Sequence, residues 1–303
     1  MKRGICEEVR KEEAKRAVQQ MTLLDNFLFR EVMKDRNLFQ LLVSILLERE
    51  IEFLEKPQTE KILGTSPLLR EIRLDVFNMD MDKHIYAVEM QKNDTRNLQK
   101  RSRLYQAQMD VSLLPTGTKD FNEIRDVFLI MICPFDLFGK GACRYTFYEV
   151  CEEYPDLRLE DGGNRMFINT KGTNREKFSK EFVELLDYIN APVEEAENYT
   201  TTEAVRQLHE GIQKLKELER TGMRYMQRWE ERILDIQEGR REGREEGRKE
   251  GESIGEVRGR AGQIVEMGIE FGLSVSDILA RLQEKLNISL SEAEEYFGIY
   301  SKL

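Results

Sequence analysis

From Leu23 onward the apolar positions recur at helical spacing. Leu24, Phe27, Leu28, Val32 and Met33 form one set; Leu38, Leu41, Leu42, Ile45 and Leu46 form a second. Residues three and four apart share a helix face, so the pattern predicts two helical segments, parted near residues 35–37, that cover a sheet. Ahead of them, residues 1–20 mix basic and acidic side chains with little apolar content. That stretch reads as a solvated leader helix or a frayed tail.

Strand-like runs follow. Residues 51–55 predict a short first strand. Residues 72–79 (IRLDVFNM) alternate, with Ile72, Leu74 and Val76 on one face and Arg73, Asp75 and Phe77 on the other. Residues 85–91 (IYAVEMQ) lie beyond a polar MDMDK stretch, so the two runs predict a hairpin. Residues 127–133 (VFLIMIC) are continuously apolar, as a strand buried on both faces requires. Between them, residues 96–114 are long enough for a crossover helix, with Leu98, Tyr105 and Met109 near one side. The order helix, three strands, helix, strand predicts a mixed α/β sheet. After Pro134, residues 145–150 and 165–169 add strands or a hairpin. A helix over 179–188 completes a domain of residues 21–195.

The pattern then turns wholly helical. Val205, Leu208, Ile212, Leu215 and Leu218 predict a long amphipathic helix within residues 196–237. In residues 238–262 glycine recurs every fourth position, at 239, 243, 247, 251, 255 and 259, with Arg, Lys and Glu filling the gaps. Each helical glycine costs about 1 kcal/mol relative to alanine, so this segment reads as a semi-flexible spacer with helical tendency. A glycine row that admits close backbone approach to a partner is the other reading. It is not a phosphate loop, because no strand precedes it and no GKS or GKT follows. Residues 263–303 predict a small helical cap, with Ser274–Asp277 and Ser289–Glu292 in capping-box spacing and Ile278, Leu279, Leu282 and Leu286 as an apolar stripe. Together these form a helical C-terminal extension suited to homodimerisation.

Composition narrows the function classes. Hydrophobic residues make up 40% of the 303, charged residues 34%, and the net charge is −10. Such a balance argues against coating nucleic acid or anionic membrane by bulk charge, so any such contact is local. No apolar run approaches the ~18 residues of a membrane span, and the start carries no signal-peptide pattern. The expected location is the cytoplasm. Cys6, Cys133, Cys143 and Cys151 lack CxxC spacing and read as reduced, partly buried thiols, with His84 and His209 as the only histidines.

Asp75 and the Glu89–Met90–Gln91 run carry the sharpest chemistry. Glu89 and Gln91 are two apart, so they project from the same sheet face. If the hairpin turns near Asp82, Asp75 lies opposite Glu89. Two carboxylates at that distance repel unless a proton or a cation sits between them. A hard divalent ion such as Mg2+ is the usual solution, and it activates water against a phosphoryl group. Spacing alone reads equally as polar residues on a solvated sheet face. The following helix is locally basic, with Arg96, Lys100, Arg101 and Arg103 against the single Asp110. Arg101 and Tyr105 are four apart and share a face. Phosphate contact by Arg101, Arg103 and Tyr105 is one reading, and a solvated helix face with Tyr105 on the sheet is the other.

The segments RLDVF (73–77), VEMQ (88–91), KRSRLYQAQMD (100–110), FLIMICPFDLFGKG (128–141) and YTF (145–147), in this order over residues 20–195, closely resemble the PD-(D/E)XK nuclease family transposases, also called Rpn-type recombination-promoting nucleases. The resemblance implies a restriction-endonuclease-like α/β core. It also implies a DNA endonuclease dependent on Mg2+ (or Mn2+ or Ca2+), linked to recombination or mobile elements. Asp75 takes the place of the motif aspartate and Glu89 that of the second acid, as metal ligands. Gln91 stands where the wider superfamily has lysine. Glutamine cannot supply lysine's positive charge, so a catalytically degenerate fold that binds nucleic acid or protein is the alternative. Such sites sometimes include a further helix acid, for which Glu48 and Glu31 are candidates.

Overall fold

The computed structural model describes residues 2–64, 72–114 and 117–302, with the side chains of residues 2–7 and 9 left aside. The chain divides into two compact units, Met1–Gln227 and Arg228–Leu303. In the first unit, α1 (Lys2–Gln19), α2 (Asn26–Val32) and α3 (Arg36–Leu47) precede β1 (Gln58–Leu63), β2 (Ile72–Met79) and β3 (Ile85–Met90). Then come α4 (Leu98–Leu113), β4 (Val127–Cys133), β5 (Arg144–Phe147), β6 (Gly163–Asn169), α5 (Lys180–Asn190) and α6 (Glu203–Glu217). The order from α3 to β4 is the predicted one: helix, three strands, helix, strand. The break between the first two apolar helical sets falls where Asp35 caps α3, its carboxylate accepting from the Asn37 and Leu38 amides. That satisfies two of the amides a helix start leaves open.

The sheet has six strands in the order β1-β2-β3-β4-β6-β5. β1, β2 and β3 are antiparallel neighbours, β3 pairs parallel with β4 across α4, β4 pairs parallel with β6, and β5 closes the edge antiparallel to β6. One face packs Leu28, Phe39, Leu42, Phe182, Leu186, Val205 and Leu208 of the helices against Val76, Val88, Met90, Ile130 and Ile132. The other face packs Leu98 and Met109 of α4 against Phe77, Ile85, Ala87, Leu129 and Met131. β4 is apolar throughout because helices cover both its faces. Each fully buried Leu, Ile or Phe contributes roughly 1.5–3 kcal/mol relative to exposure.

Three expectations need correction. The first strand is not 51–55, where only Phe53 bridges to Asp80; it is β1, at 58–63. The alternation of β2 breaks at Asp75: Ile72, Leu74 and Phe77 join the α4-side core, and Val76 joins the opposite one. The expected long helix is interrupted at Leu218, which is extended. There the carbonyl of Leu215 accepts from the Thr221 hydroxyl, and that of Lys216 from the Gln19 side chain. These tertiary partners replace the next helical turn.

A second helix, α7 (Glu219–Glu270), then runs through the whole glycine-rich segment. Good helix formers between the glycines offset part of their cost, helped by i,i+4 pairs such as Arg248–Glu252 and Lys249–Glu245. The second unit ends with α8 (Val275–Leu286) and α9 (Leu290–Tyr300). Ala261 and Val265 pack with Ile278, Leu282 and Ala293 as its core. Ser289 and Glu292 form a reciprocal capping box, while Ser274 accepts from the Asp277 amide.

Candidate active site

The candidate site forms where β2 leaves β3. Their ladder runs from Met79 opposite Ile85 to Val76 opposite Val88 and stops. β3 stays paired to β4, with Glu89 opposite Met131, while β2 continues only against β1. The parting exposes main-chain amides that need partners. The Asp75 amide donates to Glu89 Oε1 at 2.8 Å, and the Met90 amide donates to Asp75 Oδ2 at 3.3 Å. Each carboxylate thus takes over a bond the ladder would have made, and the two acids are locked side by side. Glu89 is 3% exposed, so its charge lies out of water.

A third acid joins them. Glu60 lies on β1 between Thr59, opposite Val76, and Lys61, opposite Leu74, which places it beside Asp75. Its φ is +56°, a left-handed conformation that costs roughly 1–2 kcal/mol for a side chain of this kind. Arg30 of α2 joins Glu60 and Asp75, its Nη1 lying 3.3 Å from Glu60 Oε1 and 3.5 Å from Asp75 Oδ1. Sequence reading missed Glu60 because the first strand was placed several residues too early. It missed Arg30 because an arginine between apolar helix positions gives no sign of a sheet partner.

On the other side stands α4. Arg101 Nη2 donates to Gln91 Oε1 at 2.7 Å and lies 3.6 Å from Glu89 Oε2. The Gln91 amide nitrogen donates to the Asn93 carbonyl at 2.8 Å. The Arg101 guanidinium also lies 5.2 Å from the Tyr105 ring centre, and Tyr105 packs against the α4-side core. Arg103 is exposed on the same helix. Asp75, Glu89, Arg101 and Gln91, which follows directly on β3, therefore meet, and Tyr105 lies against the arginine.

Electrostatics follow from this geometry. Burial, and then the neighbouring Asp75, push the Glu89 carboxyl up to about 8; the Asp75 amide, Arg101 and Arg30 act against them. Burial raises Asp75 as well, and Glu60 adds to it, while Arg30, the Met90 amide and Arg101 oppose. At neutral pH the pair holds a proton unless a cation replaces it. One oxygen of each acid is committed to a main-chain amide. The other, Asp75 Oδ1 or Glu89 Oε2, faces a guanidinium at 3.5–3.6 Å, beyond normal hydrogen-bond length. Two hard oxygens so placed fit a divalent ion that keeps several waters.

The two helix acids stand elsewhere. Glu48 ends α3, accepts from the Ser179 amide at 2.8 Å and pairs with Arg144 at 3.2 Å. Glu31 pairs with Arg224 at 2.8 Å and with Lys34. Asp136 holds its turn through the Phe138, Gly139 and Gly141 amides and the Tyr145 hydroxyl. Cys133 is buried, and burial pushes its thiol up to about 12, so it is no nucleophile. Among the described residues no helix is long and apolar enough to cross a membrane.

No curated protein and no solved structure matches the chain. The family model for the PD-(D/E)XK nuclease family transposases matches residues 24–238, a span that includes both arginines, all three acids and Gln91. With more than two thirds of its length matched, the chain belongs to the PD-(D/E)XK nuclease family transposases.

Proposed function

We propose that this chain is a divalent-metal-dependent DNA endonuclease, serving recombination or mobile elements, with its chemistry in residues 21–195. The observation that supports this reading most is the buried Asp75–Glu89 pair, fixed by reciprocal main-chain bonds where β2 and β3 part. Asp75 and Glu89 would hold Mg2+, or Mn2+ or Ca2+ in its place. A bound ion of this kind polarises a phosphoryl oxygen and lowers the pKa of its water.

The chain's own residues do the rest. Arg101 brings a fixed positive charge to the end of the Gln91 amide, where charge on a phosphorane develops. Gln91, accepting from Arg101, keeps the guanidinium beside Glu89, and Tyr105 limits its swing. Arg103, exposed on α4 two residues from Arg101 and so on a different side of the helix, would contact a backbone phosphate and position the strand without reading bases. Arg30 offsets part of the repulsion between Asp75 and Glu60, so the two acids can lie side by side.

The second reading, a nuclease fold retained as a nucleic-acid- or protein-binding module, has one observation in its favour. Both ends of the Gln91 amide are occupied within the protein, by Arg101 and by the Asn93 carbonyl. A plasmid-nicking assay separates the two. The parent is expected to relax supercoiled plasmid in Mg2+ or Mn2+, and Asp75→Ala and Glu89→Ala are expected not to. Equal nicking by all three proteins, or none by the parent in Mg2+, Mn2+ or Ca2+, overturns the endonuclease reading.

A further inference from the structure

We propose, resting on the reading of Asp75 and Glu89 as metal ligands, that Arg30 is a displaceable counterion. Its guanidinium pairs with Asp75 in the metal-free chain and passes to Glu60 when a divalent ion takes Asp75. One nitrogen is shared between two acids. Arg30 Nη1 lies 3.5 Å from Asp75 Oδ1 and 3.3 Å from Glu60 Oε1. Asp75 gives its other oxygen, Oδ2, to the Met90 amide. The guanidinium therefore stands at the oxygen that a cation would take.

A guanidinium and a divalent ion on one carboxylate repel each other, and burial leaves little water to screen them. The Arg30 and Asp75 side chains are only 16% and 14% exposed. An arginine withdrawn from such a pair needs another partner, since an uncompensated buried charge is costly. Glu60 supplies that partner. Nη1 already reaches both acids, so the transfer asks for no displacement of α2 or β1. Across the site, Arg101 has a comparable anchor off the pair. Its Nη2 donates to Gln91 Oε1 at 2.7 Å and faces Glu89 Oε2 only at 3.6 Å. Glu60 is to Arg30 what Gln91 is to Arg101, except that Arg30 remains divided between its two acids.

The backbone of Glu60 agrees with this role. Its φ of +56° falls inside a strand whose neighbours on either side, Thr59 and Lys61, pair regularly with Val76 and Leu74. The strain is thus confined to the residue that faces Arg30. Strained residues of this kind persist only where their surroundings hold them, and they cluster at ligand clamps and switches. Arg73 also reaches Glu60 Oε1, at 3.6 Å, but its side chain is 63% exposed. An ion pair so open to water holds weakly and yields to Arg30. Direct ligation by Glu60 is the competing assignment; its Oε1 is turned toward these two arginines.

Calorimetric titration of the metal-free full chain with Mn2+ at pH 7 tests the hand-over, with thermal melting of each variant to establish that it is folded. Glu60→Gln is expected to weaken Mn2+ binding at least ~10-fold, because Arg30 is then left to compete for Asp75. Arg30→Met keeps the apolar stem of the side chain and is expected to bind Mn2+ about 3-fold or more tighter than the parent. Adding Glu60→Gln to Arg30→Met is expected to change affinity by no more than about 3-fold, since the competitor is gone. Arg30→Lys keeps the charge and is expected to remain as sensitive to Glu60→Gln as the parent. Arg30→Gln repeats the cycle should Arg30→Met melt below the titration temperature. Equal losses from Glu60→Gln with and without Arg30 overturn the hand-over and make Glu60 a ligand itself. Weaker binding in Arg30→Met also overturns it, making Arg30 a support of the site. A parent that binds no Mn2+ overturns the metal-ligand reading and the hand-over with it; the other two outcomes overturn the hand-over alone.

Discussion

The β2–β3 hairpin carries acids at both ends, and the two ends differ in what their carboxylates are committed to. At the turn, Asp80, Asp82 and His84 bring possible ligand atoms within 4.8 Å of one another. There Asp80 is consumed by its own hairpin. Its Oδ1 accepts the His84 amide at 2.9 Å, and its Oδ2 accepts the Tyr86 hydroxyl at 2.9 Å and lies 2.9 Å from His84 Nδ1. Arg49 in turn donates to the Tyr86 hydroxyl. Asp82 is exposed and outside this network. At the far end, Asp75 and Glu89 each give one oxygen to a main-chain amide and keep the other for a charge. The lesson is that proximity of acids does not distinguish a turn from a site. What sets the two ends apart is burial, with one oxygen of each acid at the far end facing only a guanidinium.

The largest effect that can break this comparison is on cleavage. Asp75→Ala or Glu89→Ala is expected to lower plasmid nicking by about 1,000-fold or more, since several kcal/mol of charge stabilisation are lost. His84→Ala and Asp82→Ala are expected to leave it within about twofold; comparable losses at both ends would erase the distinction. Next comes Arg101. Arg101→Ala is expected to cost roughly 10–100-fold in kcat, with Arg101→Lys recovering part of it, because the charge acts on the transition state. A loss confined to KM would reassign Arg101 to substrate binding alone.

Stability against pH gives a smaller effect with a definite sign. The folded Glu89 carboxyl titrates near 8, above its ordinary value of 4.5. The stability it contributes is fully present below about 4.5 and is lost as pH rises through 8. Without divalent ions the Tm is expected to fall between pH 5 and pH 9, and Glu89→Gln to flatten that fall, by thermal scans across this range. An unchanged slope in Glu89→Gln would place the proton elsewhere. Smallest is the turn itself. Asp80→Asn weakens the bonds to His84 and Tyr86 and is expected to cost about 1 kcal/mol in urea unfolding, with no change in metal affinity.

Much of the α/β order was legible because helices and strands bury faces of different period. The hairpin register followed from its length, since a turn centred on Asp82 sets Asp75 against Glu89. What escaped reading depends on contacts between distant segments. Nothing local marks Glu60, whose strand is mostly polar (QTEKIL) and whose role depends on the left-handed kink beside Asp75. Arg30 lies 45 residues from the acid it pairs with. The face switch at Asp75 is likewise invisible in the alternation, because it arises where β2 leaves one neighbour and keeps the other. Glu48 and Glu31 were plausible as helix acids, yet a helix pattern does not say which end of the sheet a carboxylate reaches. The continuity of α7 through six glycines also ran against residue propensity.

The central claim is that Asp75 and Glu89 take up a divalent ion in exchange for the proton they otherwise share. Calorimetric titration of the metal-free chain with Mn2+ at pH 7, repeated in buffers of different ionisation enthalpy, measures this exchange. Because Glu89 titrates near 8, binding is expected to release close to one proton per ion. Glu89→Gln is expected to abolish both the release and the tight binding, and Asp80→Asn to change neither. Binding without proton release, or binding that survives Glu89→Gln and is lost in Asp80→Asn, would contradict the account.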